Sequence, residues 1–229
     1  MSQYLLLNII VIIIPLLLSF EKKIIFYKKF RELSISILTV GSIFILWDIF
    51  AVKRGDWEFN SKYINGINLF NLPLEEILFF ITIPYSSIFL YETIKYYLQK
   101  KIIRNEINLR RIYPSLITAV LLILSAVYIN HNYTFTVLIF CAVFLLISLF
   151  LFNNILSSKL YWIFISLTFI PFVLVNYLLT SLPIVVYNPD AILGIRFLTI
   201  PVEDFLYSFS MLSLYLFIYI KSARIWEKI

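Results

Sequence analysis

Three residue types that build small-molecule and metal sites are scarce in this sequence of 229 residues, which has four glycines, one cysteine and one histidine. So few glycines argue against a glycine-rich nucleotide loop, and a single cysteine excludes both a disulfide framework and a thiolate metal site. The lone His131 argues against an imidazole metal cluster. We therefore expect no metal, no bound nucleotide and no other cofactor.

Charged residues are also few, at 14%, whereas 62% of the residues are hydrophobic and the mean hydropathy is +0.93. A soluble domain is about half apolar and about one quarter charged, so this composition excludes a water-soluble enzyme. The net charge of +6 does not indicate nucleic-acid binding, because the basic residues form short runs between apolar blocks rather than one accessible face. The sequence predicts an integral membrane protein whose surroundings are the lipid bilayer.

Seven apolar segments are long enough to cross a bilayer core of about 30 Å as helices. They cover residues 4–20, 33–50, 73–97, 112–129, 134–152, 160–179 and 200–220. Backbone that faces lipid must satisfy its own hydrogen bonds, and no segment resembles a barrel strand, so an all-α bundle of seven transmembrane helices is expected. The first segment has no basic leader and no cleavage site of small residues, so it is interpreted as a helix rather than a signal peptide.

Lysine and arginine are distributed unevenly between the two sides of such a bundle. If the N-terminus is outside, only four of the 19 basic residues lie outside, namely Lys53, Arg54, Lys62 and Arg196. The inside residues are Lys22, Lys23, Lys28, Lys29, Arg31, Lys95, Lys100, Lys101, Arg104, Arg110, Arg111, Lys159, Lys221, Arg224 and Lys228. Because basic loops are retained on the cytoplasmic side, we predict the N-terminus outside and the C-terminus inside.

An internal repeat relates two parts of the chain at a constant offset of 128 residues without gaps. The matched positions are Asp48 with Asn176, residues 59–60 with 187–188, Gly66 with Gly194, residues 73–76 with 201–204, and residues 78–79 with 206–207. We interpret residues 1–98 and 132–229 as two related halves of three helices each, joined by a fourth helix within 99–131. Helices one and five both start outside, so the halves are expected to be parallel, with their acids at one depth.

Each half contains a proline followed by two adjacent acids. The residues are Pro73, Glu75 and Glu76 in the first half and Pro201, Glu203 and Asp204 in the second. Proline is tolerated in the first helical turn, where its missing N–H would be unpaired, and acids there are favoured by free N–H groups and the helix dipole. The acids are thus either capping carboxylates at a membrane interface or functional groups. Their repetition favours function, because two-fold placement would bring four carboxyls toward one interior.

Several motifs of the two halves are similar to those of one known family. They are Trp47-Asp48, residues 55–60, Gly66 and residues 72–80 in the first half, and residues 176–183, 187–188, 194–196 and 200–207 in the second. Together they resemble the membrane lycopene cyclases of some bacteria, archaea and fungi, in the form that fuses both halves into one chain. The resemblance implies an isomerase, or intramolecular lyase, that converts the acyclic ends of lycopene into β-ionone rings, giving γ-carotene and then β-carotene. Some relatives act on longer carotenoids or form other ring isomers.

The acids suit the chemistry that this resemblance implies. Ring closure needs a proton delivered to a terminal double bond and a base that removes a proton from a ring carbon, with no redox change. Burial and a like charge nearby keep a carboxyl protonated, and different environments assign the acid and base roles. Either Glu75 or Glu203 is the expected donor, with Glu76 and Asp204 setting the field or taking the proton back. Arg196 could hold one acid ionised by pairing with it.

A carbocation also needs an electron-rich wall without water. Phe79 and Tyr207 each lie four residues after an acid, on the same helix face, and a cation–π contact is worth about 0.5 to 2 kcal/mol. Further candidates for contact with the substrate are Phe80, Trp47 and Trp57. The alternative for each ring is a lipid-facing or interfacial position, because the chain has 22 phenylalanines, 16 tyrosines and four tryptophans.

Two further polar positions match in the repeat. Asp48 and Asn176 either hydrogen-bond the acid pairs as support or simply join helices, since interhelical polar contacts contribute about 0.6 kcal/mol on average. His131 is expected to be a solvated residue of the loop between the fourth and fifth helices.

Other membrane functions fit the sequence less well. A retinal protein needs a lysine in the middle of its last helix, but Lys221 lies at the end of that segment. Membrane prenyltransferases need clusters of aspartates to bind magnesium, and the aspartates of this sequence are scattered singly. Flavin-dependent cyclases need a dinucleotide-binding fold, whose glycine motif this sequence lacks. A proton-coupled transporter remains the main alternative, because parallel repeats and paired membrane acids suit it. A non-catalytic carotenoid-binding protein is the third possibility.

Overall fold

The computed structural model describes residues 1–102, 107, 111–151 and 155–226, and seven long helices dominate these residues. The helices are α1 Gln3–Leu18, α2 Phe26–Arg54, α3 Leu74–Ile102, α4 Ile112–Val127, α5 Asn132–Leu151, α6 Lys159–Ser181 and α7 Val202–Trp226. The expected mostly helical architecture is therefore confirmed, and each predicted apolar segment corresponds to one helix. Four residues used in the sequence predictions lie outside the described residues, namely Arg104, Arg110, Phe152 and Lys228.

Five of these helices, α2, α3, α5, α6 and α7, are long and apolar enough to cross a membrane. The other two, α1 and α4, have 16 residues each and extend about 24 Å, which is less than the hydrocarbon core of about 30 Å. Their outward-facing side chains are apolar, including Ile14 on α1 and Ile123 on α4. The structure thus describes a helical membrane protein with five candidate spans in the described residues, and seven crossings with the N-terminus outside stay a prediction.

Short strands occur between the helices, which the sequence did not predict. They are β1 Trp57–Phe59, β2 Asn68–Leu69, β3 Leu72–Pro73, β4 Val185–Tyr187, β5 Arg196–Phe197 and β6 Ile200–Pro201. Strands β2 and β3 form a hairpin that leads into α3, and β5 and β6 form one that leads into α7. Strands β1 and β4 pair antiparallel and join the two halves. Pairing gives the backbone of these connections its hydrogen-bond partners outside the helices.

The two hairpins have the same backbone structure. Gly66 and Gly194 precede them with φ of +79° and +77°, in the left-handed region that glycine adopts without steric cost. The first N–H of α3 donates to the carbonyl of Ile67 at 2.8 Å, and the first N–H of α7 donates to that of Ile195 at 3.0 Å. The sequence repeat is therefore also a repeat of local structure, and it places each acid pair in the first turn of a helix.

Helices from the two halves are interleaved. Within the halves, α1 packs against α3 and α5 packs against α7, whereas α2 packs against α7 and α6 against α3 across the boundary between them. The main core is shared accordingly, and its fully buried side chains include Phe44 of α2, Phe164 of α6 and Tyr215 of α7. Helix α4 packs mainly on α5. Much of the core that each half needs is thus supplied by the other.

A close contact between α2 and α7 positions the helix that carries Asp48. The hydroxyl of Tyr215 donates to the carbonyl oxygen of Phe80 at 3.1 Å, and it lies 3.1 Å from the place that a Cβ on Gly41 would occupy. Gly41 ends a π-helical segment, Ile37–Gly41, which interrupts the regular hydrogen bonding of α2. Glycine at this position leaves room for the tyrosine hydroxyl between three helices.

Candidate functional site

A cavity of about 60 Å³ lies where the two halves meet. Its polar lining consists of three acids and one amide, namely Asp48, Glu76, Asp204 and Asn176. Eight aromatic rings form most of the remaining wall, namely Tyr4, Trp47, Trp57, Phe59, Phe79, Tyr133, Tyr187 and Tyr207. Both halves contribute acids and rings, so the cavity is complete only when the halves are together.

Asp48, on α2, is the acid in this cavity with the fewest hydrogen-bond contacts. It is 1% exposed, and neither Oδ1 nor Oδ2 makes a hydrogen bond of ordinary geometry, although the side chain of Trp57 lies close enough to act as a donor. The rings of Trp47 and Trp57, with centroids 5.3 Å apart, also line the cavity. An unpaired carboxylate is very costly to bury in such apolar surroundings, whereas the neutral acid is not. This environment suits a carboxyl group that carries a proton.

Asp204, in the first turn of α7, is also buried but is surrounded by hydrogen-bond donors. Its Oδ1 accepts a hydrogen bond from the hydroxyl of Tyr133 at 2.6 Å, and the hydroxyl of Tyr187 lies 3.0 Å from both carboxylate oxygens. Burial and the nearby charge of Asp204 raise the pKa of Tyr187 well above its ordinary value, so that hydroxyl remains a donor. Donors aimed at a carboxylate stabilise its charged form.

Glu76, in the first turn of α3, also accepts from a tyrosine. The hydroxyl of Tyr4 donates to its Oε2. Tyr4 and Tyr133 are both buried and lie near the starts of α1 and α5, so each half supplies one tyrosine to the second acid of its own pair. Glu76 and Asp204 are thus held in similar ways in the wall of one cavity.

The first acids of the two pairs do not line the cavity. Glu75 is 1% exposed, and its Oε1 accepts from the hydroxyl of Ser2 at 2.6 Å and from the N–H of Asn65 at 2.7 Å. Glu203 accepts in the same manner from the hydroxyl of Thr134 and the N–H of Leu193, both at 2.7 Å. These carboxyls tie the loop before each hairpin to the following helix. Their donors belong to these loops and to the starts of α1 and α5, and not to the free N–H groups of their own helices.

The predicted aromatic residues divide into two groups. The ring of Trp47 lies 5.3 Å from that of Trp57 and 5.4 Å from that of Tyr207, and all three line the cavity with Phe79. Aromatic faces carry negative potential and attract a cation. Phe80 instead lies in the main core, where it is 2% exposed.

Arg196 and the two prolines lie outside the cavity lining. The guanidinium of Arg196 donates to the carbonyl oxygen of Thr199 at 2.6 Å and lies 5.9 Å from the ring of Tyr187, and among the described residues it is not paired with a carboxylate. Pro73 and Pro201 end strands β3 and β6 and stand immediately before α3 and α7, one residue earlier than expected. They mark where the helices begin.

The tyrosines that bind the acids were not identified from the sequence. Tyr187 matches Phe59 in the repeat, so its position was visible there, but its hydroxyl has no counterpart in the first half. Tyr4 and Tyr133 are offset by 129 rather than 128 residues and escape a gap-free comparison. His131 is a partly exposed loop residue whose Nδ1 lies 3.0 Å from the carbonyl oxygen of Asp190.

The size and donor set of the cavity limit what it binds. Within the described residues no group of three or more His, Cys, Asp or Glu side chains is arranged to hold a metal ion. Pockets for ligands of drug size measure about 300 to 1,000 Å³, so the aromatic walls must move apart to admit a comparable ligand. The arrangement can transfer protons inside an apolar, electron-rich space.

The chain matches the model of a known family. The family model described as Lycopene cyclase matches residues 2–94 and 130–221, which include all the acids and rings of the cavity wall and leave α4 between them. This match confirms the resemblance noted from the motifs. Comparisons with curated proteins and with solved structures gave no match.

Proposed function

The chain belongs to the lycopene cyclase family, and on that premise we propose that it is a lycopene β-cyclase of a bacterial cytoplasmic membrane. It converts the acyclic ends of lycopene into β-ionone rings, through γ-carotene to β-carotene. The reaction is an isomerisation, because one proton is added, one carbon–carbon bond forms within the end group, and one proton is lost. The observation that carries this proposal is the meeting of three acids and eight aromatic rings in one cavity built by both halves.

In this proposal Asp48 is the proton donor. Its carboxyl is buried among aromatic rings and makes no hydrogen bond of ordinary geometry, with the side chain of Trp57 as the donor beside it, so this environment favours the neutral acid. Protonation of the terminal double bond gives a tertiary carbocation and leaves Asp48 charged. The assignment differs from the expectation that Glu75 or Glu203 donates, because the Oε1 atoms of both are held by the loops before the hairpins.

Either Asp204 or Glu76 receives the ring proton in the last step, and transfer of that proton back to Asp48, which lines the same cavity, restores the starting state. The tyrosine hydroxyls around Asp204 stabilise a carboxylate before the reaction, and Tyr4 does the same for Glu76. A carboxylate beside the cation lowers the energy of the charged intermediate and then removes a proton from the ring carbon. Two acids in different environments thereby divide the acid and base roles, as in other enzymes with paired carboxyls.

The aromatic wall has two tasks in this mechanism. The faces of Trp47 and Tyr207 stabilise the cation by about 0.5 to 2 kcal/mol per ring, and the rings exclude the water that would otherwise trap it. Because the ring-lined cavity is small, an end group enters by displacing side chains, and closure around it favours the folded conformation of the end group that cyclisation requires.

The test is expression of the full chain in cells that accumulate lycopene, followed by pigment analysis. Cyclic carotenoids support the proposal, and monocyclic and bicyclic products are separated by chromatography. Unchanged lycopene together with proton-dependent uptake of a solute would favour a transporter, and unchanged lycopene that copurifies with the chain would favour a carotenoid-binding protein. A chain with Asp48→Asn, matched for accumulation in the membrane, is the inactive control.

A further inference from the structure

A second cavity, of about 450 Å³, lies near the other end of the helical bundle. Glu76 lines the first cavity and Glu92 lines the second, and the 16 residues between them along α3 correspond to about 24 Å. The two cavities are therefore separated by most of the thickness of a hydrocarbon core. The second one lies between the ends of α2, α3 and α7, at the level of a membrane surface.

The lining of this second cavity is rich in charge, with an excess of basic residues. The basic residues are Lys29, Arg31, Lys95 and Arg224, and the acidic ones are Glu32 and Glu92. Four cations against two carboxylates leave an excess of two positive charges. Basic pockets between transmembrane helices attract the negatively charged headgroups of lipids.

Glu92 is the fixed centre of this cluster. It is 6% exposed, and its two oxygens accept from the ammonium of Lys29 at 2.5 Å and from the hydroxyl of Tyr219 at 2.9 Å. These contacts join all three helices, because each residue belongs to a different one. Glu92 therefore neutralises Lys29 and has little capacity left for a second cation.

Lys95 supplies a positive charge that the protein does not fully use. Its Nζ lies 3.8 Å from Oε1 of Glu92, which is an ion pair but is too long for a hydrogen bond. Its side chain is 38% exposed on the wall of the cavity. Lys95 makes no side-chain hydrogen bond within the part of the chain that the structure describes, so its donors are available to a ligand.

Glu32 supplies the complementary group, an acceptor. Its Oε2 is buried and has no hydrogen-bond partner, whereas its Oε1 lies 3.5 Å from the guanidinium of Arg31. A buried carboxylate oxygen without a donor is costly, so a ligand that brings a hydroxyl to it is stabilised. The cavity therefore offers cationic donors and an anionic acceptor within one space.

We propose that this cavity binds a phosphoglycerol group, with the phosphate at Lys95 and a glycerol hydroxyl at Oε2 of Glu32. The group carries at least one negative charge and two hydroxyl donors, which match the excess of positive charge in the lining and the unpaired oxygen of Glu32. The volume lies within the range of known ligand sites. Its source is either phosphatidylglycerol of the surrounding bilayer or a soluble glycerol phosphate. This site is separate from the cyclisation cavity and does not depend on the proposed reaction.

The experiment is native mass spectrometry of the full chain in detergent, titrated with defined lipids. The probes are phosphatidylglycerol, phosphatidylmethanol, which has the same charge but no hydroxyl, and the zwitterionic phosphatidylcholine. We expect phosphatidylglycerol to bind about ten-fold more tightly than phosphatidylcholine and more tightly than phosphatidylmethanol. Adding glycerol 3-phosphate distinguishes the sources. Displacement of the lipid indicates that the site recognises the phosphoglycerol group alone, and no displacement indicates that it binds the intact lipid.

Variants assign the effect to this cavity. Lys95→Gln should weaken phosphatidylglycerol binding about five- to ten-fold, while Lys95→Arg should retain it, because the charge is kept. Glu32→Ala should remove the preference for phosphatidylglycerol over phosphatidylmethanol without reducing the binding of the latter. Lys53→Gln, at an exposed lysine on the other end of α2, is the matched control and should bind as the unaltered chain does. Equal binding of all three lipids, or equal binding by Lys95→Gln, would overturn the proposal.

Discussion

Glu58 and Val186 face each other across the antiparallel pair of β1 and β4, and they are also equivalent positions of the repeat of 128 residues. The operation that relates the halves therefore exchanges these two residues and maps the pair onto itself. Such a pair lies on a two-fold axis, so the axis that relates the halves passes between the two residues. The cross-strand pairs on either side of this central pair are converted into each other by the same two-fold rotation. This symmetry explains why acids from both halves meet in a single cavity rather than in two.

The symmetry of the carboxyl groups in that cavity is broken where Asp48 in the first half corresponds to Asn176 in the second. Asp48→Asn should lower cyclisation by at least about 100-fold, because loss of a general acid typically costs 10²- to 10⁴-fold. The protein should still accumulate, since the amide has nearly the size and shape of the carboxyl and its oxygen can still accept from the side chain of Trp57. Pigment analysis in lycopene-producing cells measures the rate, and an immunoblot of membranes measures the protein.

Asn176→Asp is the matched partner of this substitution. By the two-fold relation, Asp48→Asn combined with Asn176→Asp should recover part of the lost activity, because a carboxyl then enters the same cavity from the equivalent position. Normal turnover by the Asp48→Asn variant alone would show that Asp48 is not the proton donor.

The hydroxyl of Tyr187 should contribute to the rate through Asp204. Tyr187→Phe removes its bonds to both oxygens of that carboxylate and should slow cyclisation about ten-fold. Because the pKa of Tyr187 is raised, its hydroxyl stays protonated as the pH rises, so this contribution should be the same at pH 7 and pH 9. Rates in membrane vesicles at both pH values test this, and a Tyr187-dependent decline between them would contradict it.

The acids that hold the hairpins should act on stability rather than on rate. Glu75→Ala leaves the N–H of Asn65 and the hydroxyl of Ser2 without their acceptor and should destabilise the fold by about 1 to 3 kcal/mol. Glu75→Gln keeps an accepting oxygen and should lie close to the unaltered chain. Thermal unfolding in detergent gives the stability. A Glu75→Gln chain that is fully stable but inactive would instead show that Glu75 takes part in the reaction.

The two halves should be active only together. Residues 1–131 and 132–229, produced as separate chains, should give cyclic carotenoids when coexpressed and none when expressed alone, because α2 and α6 pack across the boundary and the cavity needs residues from both sides. Pigment analysis and copurification of one half with the other check this. Cyclic product from either half alone would contradict a shared site.

The membrane orientation is tested by reporters. A C-terminal reporter that works only in the cytoplasm should be active, and one that works only outside should be inactive, because the basic residues are concentrated on the side that the C-terminus is expected to share. The reverse result would show that the predicted orientation in the membrane is wrong, and the geometry of both cavities would be unaffected.

Much of the fold and part of the site followed from the sequence. The apolar segments predicted all seven helices to within several residues, because length and hydropathy are local properties. The repeat predicted that acids of both halves belong together, and the motifs predicted the family. The motifs also identified Trp47, Asp48 and Tyr207, which line the cavity. The short strands were missed, since two- and three-residue pairings have no periodicity of their own.

The sequence by itself determined that this is a helical membrane protein, that it contains a duplicated unit, and which acids stand at the starts of two helices. Only the tertiary structure decided how adjacent acids differ. Neighbouring residues in a helix point about 100° apart, so Glu75 and Glu203 turn toward the hairpin loops while Glu76 and Asp204 turn toward the cavity. The tyrosines that hold the latter two come from other segments of the chain, and packing alone brings them there.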